Sequence, residues 1–172
     1  MIKLSAFEYE NKLKNPQNLF KNTFKNKSFI HGEKLTEFEK KFSKYLNSDQ
    51  CIAVNSGTAA LNLALSLLDI KNKEIILPSL SFVATAHAVT LNGGKPVFAD
   101  VDSETLCIDP KQIMKLITKK TAAILPVHFA GIACNLNEIS QLCQENNIKL
   151  IEDAAHAAGT KYDGRRIGSH GM

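Results

Sequence analysis

The sequence predicts an α/β fold, a three-layer α/β/α domain around a mostly parallel sheet, and three observations carry that prediction. Short apolar runs alternate with helix-length segments from residue 33 to residue 152. The segments between runs are long enough for crossover connections, which parallel strands require. Several runs also stop abruptly at polar residues, among them Ser56, Ser79, His128 and Asp153. In such sheets ligands sit beyond the carboxyl ends of the strands.

Residues 1–30 are rich in Asn and Lys with Pro16 among them, and read as an N-terminal arm with room for a short helix. The domain proper occupies residues 31–172. From Glu33, the residues Leu35, Phe38, Phe42 and Tyr45 or Leu46 recur at helical spacing between charged neighbours, which predicts an amphipathic helix. Cys51-Ile52-Ala53-Val54, ended by Asn55-Ser56-Gly57, predicts a short buried strand. Ala59 to Leu68 is apolar nearly all round, so the helix predicted there should lie between the sheet and another packed layer.

The alternation then runs on. Glu74–Pro78 reads as strand, Phe82–Leu91 as helix and Pro96–Ala99 as strand. Pro110–Ile117 reads as helix, with Asp109 as its cap and Pro110 at the first helical position. Thr121–Val127 is the next strand, Leu136–Glu145 a helix starting at Asn135 or Asn137, and Ile148–Glu152 a further strand. Thr160–Ile167 has the pattern of a hairpin turning at Asp163-Gly164.

Composition narrows the function classes. With 172 residues, 44% hydrophobic and 22% charged, the chain is ordinary for one folded domain with a real core. Its net charge of +4 comes mostly from lysines between Glu8 and Lys44, interleaved with Asn and Glu. Without an aromatic and basic repeat, that excess solvates helix faces and predicts no nucleic-acid partner. No apolar run is long enough for a bilayer, and Met1-Ile2-Lys3-Leu4-Ser5 lacks a leader pattern, so a cytoplasmic chain without membrane contact is expected. Cys51, Cys107, Cys134 and Cys143 have no close pairs and read as reduced, packed thiols.

The chemistry gathers at two strand ends. Ser56-Gly57-Thr58 puts hydroxyls and unsatisfied backbone N–H groups at a helix start, where the dipole favours a phosphate; a plain Ser or Asn cap is the alternative. Neither a GxxxxGK[ST] loop nor a GxGxxG fingerprint is present. Asp153 follows an apolar strand, so its carboxylate needs a hydrogen-bonding or cationic partner. A pyridinium nitrogen, Arg165, Arg166 or a helix end would each serve. Glu152 points to the opposite face, so at most one of the two enters a given site.

Phe82 stands just past a strand and would either stack on a heteroaromatic ring or pack in the core. His156 lies three residues after Asp153, and His128 ends the preceding strand, where it would line the site or sit satisfied in the core. Asp153, His156 and His128 lack a diagnostic metal spacing, and Ser56 is not in a GxSxG elbow.

These residues resemble the sugar aminotransferases of the DegT/DnrJ/EryC1/StrS family, within the fold type I aspartate aminotransferase superfamily. Five motifs carry the resemblance in order: Ser56 to Leu61, Pro78 to Thr85, Lys95 to Asp102, Pro126 to Gly131 and Glu152 to Ala157. The resemblance implies pyridoxal 5′-phosphate as cofactor, with Ser56, Gly57, Thr58 and Ala59 at its phosphate, Phe82 on its ring, Asp153 at its ring nitrogen and His156 near its oxygen. It implies amino transfer from glutamate to a nucleotide-linked keto-sugar, for surface glycans, by a homodimer; the strand-end position of His128 makes it the candidate substrate residue.

Members of the family continue past the Gly168–Gly171 region into a strand, a Schiff-base lysine and a small C-terminal domain. No lysine of this chain lies in that motif, so no catalytic residue is assigned and the large domain is expected to be incomplete. Two other expectations follow: a noncatalytic N-terminal half that works with a complementary C-terminal chain, or part of a lysine-independent sugar dehydratase.

Overall fold

The computed structural model describes residues 32–171 together with Lys21, Phe24 and Ile30. Apart from those three positions, the expected arm over residues 1–30 lies outside the described residues. Helix α1 (Glu33–Leu46) forms where the apolar spacing predicts it and ends at Asn47, whose left-handed φ of 58° stops the helix. Phe38, Phe42 and Tyr45 stack along one side, and the Arg166 guanidinium lies 3.7 Å from the Tyr45 ring centroid.

Residues 51–54 correct the sequence expectation. They are not a strand: Ile52 is largely exposed, and the Ala53 N–H donates 2.9 Å to Glu39 Oε1 on α1. An apolar run of strand composition becomes a strand only when a neighbour completes its ladder. No such neighbour lies beside it among the described residues.

Helix α2 (Gly57–Ser66) starts two residues before the expected helix and is capped by Ser56, whose Oγ accepts from the Ala59 N–H at 3.1 Å. Of the sheet and the second packed layer expected around it, the described residues supply cover on the sheet side. Leu65 is buried, whereas Leu63 is exposed and Leu67, just past the helix end, is 80% exposed. Apolar periodicity reports surface that needs cover and does not identify what covers it.

The sheet contains β1 (Glu74–Pro78), β2 (Lys95–Ala99), β3 (Thr121–Ile124) and β4 (Lys149–Leu150) in the order β2-β1-β3-β4, with every pair parallel. Helix α3 (Val83–Leu91) connects β1 to β2, α4 (Pro110–Leu116) connects β2 to β3, and α5 (Leu136–Asn146) connects β3 to β4. The first crossover runs along the sheet in one direction and the other two in the reverse direction. Right-handed crossovers then put α3 on one face and α4 and α5 on the other.

Two cores record that division with a period of two. Ile75, Leu77, Ala123 and Leu125 pack with Leu65 of α2 and Ala88 and Val89 of α3, with Ile151 at their margin. Ile76, Ile124 and Leu150 pack on the opposite face with Ile113 of α4 and Ile139 and Cys143 of α5. Continuing the alternation past Leu150 and Ile151 sends Glu152 toward the α4/α5 face and Asp153 toward the α2/α3 face.

Strand β3 is shorter than the sequence suggests because Pro126 interrupts its donors. The ladder nevertheless resumes: Ile151 N–H donates to Ile124 O, Asp153 N–H to Pro126 O at 2.9 Å, and His128 N–H to Asp153 O. The hairpin consists of β5 (Lys161–Tyr162) and β6 (Arg165–Arg166), with Asp163 and Gly164 both at positive φ in a turn of the type that a two-residue loop prefers. No helix among the described residues is long and apolar enough to cross a membrane.

Candidate cofactor site at the strand ends

Asp153 sits at the end of the β4 segment, bridged to Val127, and is 8% exposed. Its Oδ2 accepts from the Thr85 hydroxyl at 2.9 Å, and its Oδ1 from the Ala155 N–H at 3.2 Å. Thr85 is wholly buried in the first turn of α3, and its Oγ1 lies 2.6 Å from Ser81 Oγ. Sequence reasoning assigned no role to Thr85 or Ser81. Their signal was a pair of hydroxyl residues four apart at the start of an otherwise apolar helix.

The arginines weighed as partners for Asp153 are committed elsewhere. Arg165 donates to the Ser169 carbonyl, and Arg166 lies over Tyr45 and reaches the Gly159 carbonyl at 3.5 Å. Among the described residues Asp153 has no cationic partner. Its hydrogen bonds are two, leaving acceptor capacity on a carboxylate that has room for about four.

Glu152 occupies the opposite face and is fully engaged. Its Oε2 accepts from His128 Nε2 and the Gly168 N–H, both at 3.2 Å, and its Oε1 from the N–H groups of His170 and Gly171 at 2.8 and 2.7 Å. Burial opposes ionisation of this carboxyl, but the bonds from His128, Gly171, His170 and Gly168 outweigh it and hold its pKa at about 2. His128 is itself wholly buried, and its Nδ1 accepts from the Cys134 N–H at 3.1 Å. That bond leaves the ring proton on Nε2, where Glu152 receives it. His128 thus presents no open face to a substrate.

At the other end of the site, Ser56, Gly57 and Thr58 are exposed, and nothing lies within 4 Å of where a Gly57 side chain would begin. The Ala59 N–H is occupied by Ser56 Oγ. The amides of Gly57 and Thr58 have no partner among the described residues, so two donors and the Thr58 hydroxyl are available at a helix start.

Phe82 precedes α3 as its cap residue and is 73% exposed, with a bare aromatic face beside the helix that holds Thr85. Helices α2 and α3 pack together, so the start of α2, Phe82 and the Thr85–Asp153 pair share one face of the sheet. His156 is exposed, accepts from the Ala130 N–H through Nδ1 at 3.4 Å and sets its edge against Phe129. Its proton is therefore on Nε2, which has no partner among the described residues. Gly131, at φ +86°, allows this close approach: a Cβ there would lie 3.2 Å from the His156 carbonyl oxygen.

No cluster of three or more His, Cys, Asp or Glu residues suited to a metal occurs among the described residues. All four cysteines are free thiols.

The model of the DegT/DnrJ/EryC1/StrS aminotransferase family matches residues 11–172. The spore coat polysaccharide biosynthesis protein SpsC of Bacillus subtilis is 43% identical over 141 residues, covering 81% of this chain and 36% of its own length. Among solved structures, NtdA of Bacillus subtilis with bound cofactor PMP aligns with a TM-score of 0.79 at 36% identity, covering 87% of this chain and 34% of that one. GDP-4-keto-6-deoxymannose-3-dehydratase with a trapped PLP–glutamate geminal diamine aligns with a TM-score of 0.86 at 28% identity, covering 91% and 42%. The chain spans 36–39% of the length of the curated relatives it matches.

Proposed function

The chain belongs to the DegT/DnrJ/EryC1/StrS aminotransferase family, and on that premise we propose that it forms the cofactor-holding part of an enzyme that transfers an amino group from glutamate to a nucleotide-linked keto-sugar with pyridoxal 5′-phosphate. The observation that carries this reading is the pairing of an anion-ready helix start with a buried carboxylate on the same face of one sheet. A phosphorylated pyridine is acidic at one end and basic at the other, and the two features match those ends.

The residues present fit that group. Gly57 and Thr58 would donate N–H bonds to its phosphate, with the hydroxyl of Thr58 beside them and Ser56 holding the first turn in place through Ala59. Phe82 would cover one face of the ring. Asp153 would hold the proton on the ring nitrogen, and His156 would offer its Nε2–H to the phenolic oxygen. When bound, the protonated ring accepts the electron pair left as a C–H bond next to nitrogen is broken.

No lysine of this chain is assigned to the proton transfers of the reaction, and the substrate and a second subunit belong to the same proposal. Exposed Leu63, Leu67 and Leu91 provide apolar surface for a homodimer. The sugar dehydratase reading differs in the residue that handles protons and would use the same ring and phosphate contacts.

Titration of the chain with pyridoxamine 5′-phosphate, followed by cofactor fluorescence, tests the reading, because this form binds without a covalent link to lysine. Saturable one-to-one binding is expected, with unphosphorylated pyridoxamine at least about tenfold weaker. Equal affinity for both compounds, or no saturation, would contradict it.

A further inference from the structure

We infer that Thr85 is a positioning residue for the ring-binding carboxylate, fixing the orientation of Asp153 through a hydroxyl relay that begins at Ser81. The inference rests on the cofactor reading above. An ionised carboxylate only accepts, so the 2.9 Å contact commits the single Thr85 proton to Asp153 Oδ2. The 2.6 Å contact between Ser81 Oγ and Thr85 Oγ1 then takes the Ser81 proton in preference to the Phe82 carbonyl 3.2 Å away, and the relay runs from Ser81 to Thr85 to Asp153.

Burial makes the relay consequential. Thr85 is wholly buried and Asp153 nearly so, and water has little access to replace a lost donor. The Ala155 N–H anchors the other oxygen from the chain just beyond Asp153, so the carboxyl group is held from two elements, α3 and the turn after β4. A side chain gripped at both oxygens keeps one orientation, and acceptor capacity remains on Oδ1 and Oδ2. The χ1-restricted Thr in a helical first turn further limits where its hydroxyl can go. Valine has the same shape and no hydroxyl.

The test is a double-substitution cycle on pyridoxamine 5′-phosphate binding with Thr85→Val, Thr85→Ser, Asp153→Asn and Thr85→Val combined with Asp153→Asn. Thr85→Val is expected to weaken binding about tenfold and to reduce the induced circular dichroism of the bound ring, with Thr85→Ser restoring both. In the Asp153→Asn background Thr85→Val is expected to have little further effect, because its action passes through the carboxylate. Equal losses from Thr85→Val in both backgrounds, or no restoration by Thr85→Ser, would overturn the inference and leave the site reading standing.

Unchanged binding in Asp153→Asn would instead overturn the site reading, as would absence of binding by the unsubstituted chain. Thermal unfolding, without cofactor, of the unsubstituted chain, Thr85→Val, Asp153→Ala and the two combined then judges the relay separately, because alanine removes the acceptor that asparagine keeps: non-additive changes in Tm support it, and additive changes overturn it. Thr85→Ala is the second variant where Thr85→Val does not fold.

Discussion

Glu152→Ala is expected to destabilise the chain by about 3–5 kcal/mol, because it leaves a buried imidazole N–H and three backbone N–H groups without their acceptor. That is a large share of the stability of a domain, about 5–15 kcal/mol in total. The chain from Gly168 to Gly171 is tied to the end of β4 by this one carboxylate, so its amides should lose protection from hydrogen exchange first. Glu152→Gln does not rescue the arrangement. The amide NH2 must face either the His170 and Gly171 donors or those of His128 and Gly168, and His128 cannot shift its proton because Nδ1 accepts from Cys134.

The same carboxyl sets a pH dependence with a definite sign. Its folded-state pKa of about 2 lies below the ordinary 4.5, so its contribution is fully present above the ordinary value and is lost as pH falls through about 2. Denaturant midpoints of the unsubstituted chain should therefore converge on those of Glu152→Ala between those two pH values. A gap that stays constant over that range would contradict the assignment.

Asp153→Asn is expected to weaken pyridoxamine 5′-phosphate binding about a hundredfold while costing far less in stability than Glu152→Ala. Asparagine keeps the shape and its one oxygen can still accept the Thr85 proton, with its NH2 turned to the longer contact from the Ala155 N–H, but it removes the charge that holds a proton on a pyridine nitrogen. The neighbouring substitutions are thus expected to separate by role: Glu152 on the fold, from the α4/α5 face, and Asp153 on the proposed ligand, from the α2/α3 face. Calorimetric titration beside denaturant melts of both variants reads the two effects on one scale. Equal losses of affinity in the two variants at pH 7 would contradict the division.

This division was only half legible in the sequence. Alternation along a strand told that Glu152 and Asp153 face opposite ways, but which one meets the ligand depends on which helices cover each face, and crossover direction decides that. The helices with strong spacing or caps, α1, α4 and α5, were readable because their signals are local: Phe38 and Phe42 on a stripe, Asp109 before Pro110, Asn135 accepting from Glu138. The sheet's order was not, since pairing of β1 with both β2 and β3 is a tertiary fact. Residues 51–54 were misread because strand composition was taken for a strand without asking what would pair with it. At the site, motif residues such as Ser56 and Asp153 stood out by position at strand ends. Thr85 and the His128–Glu152 pair did not, since each depends on contacts across many intervening residues.

The most direct measurement of the central claim is a crystal structure of the chain with pyridoxamine 5′-phosphate. The account predicts the phosphate on the amides of Gly57 and Thr58 and the ring nitrogen within hydrogen-bonding distance of the Asp153 carboxylate. A ligand whose phosphate lies away from the start of α2, or whose ring nitrogen faces a group other than Asp153, would contradict it.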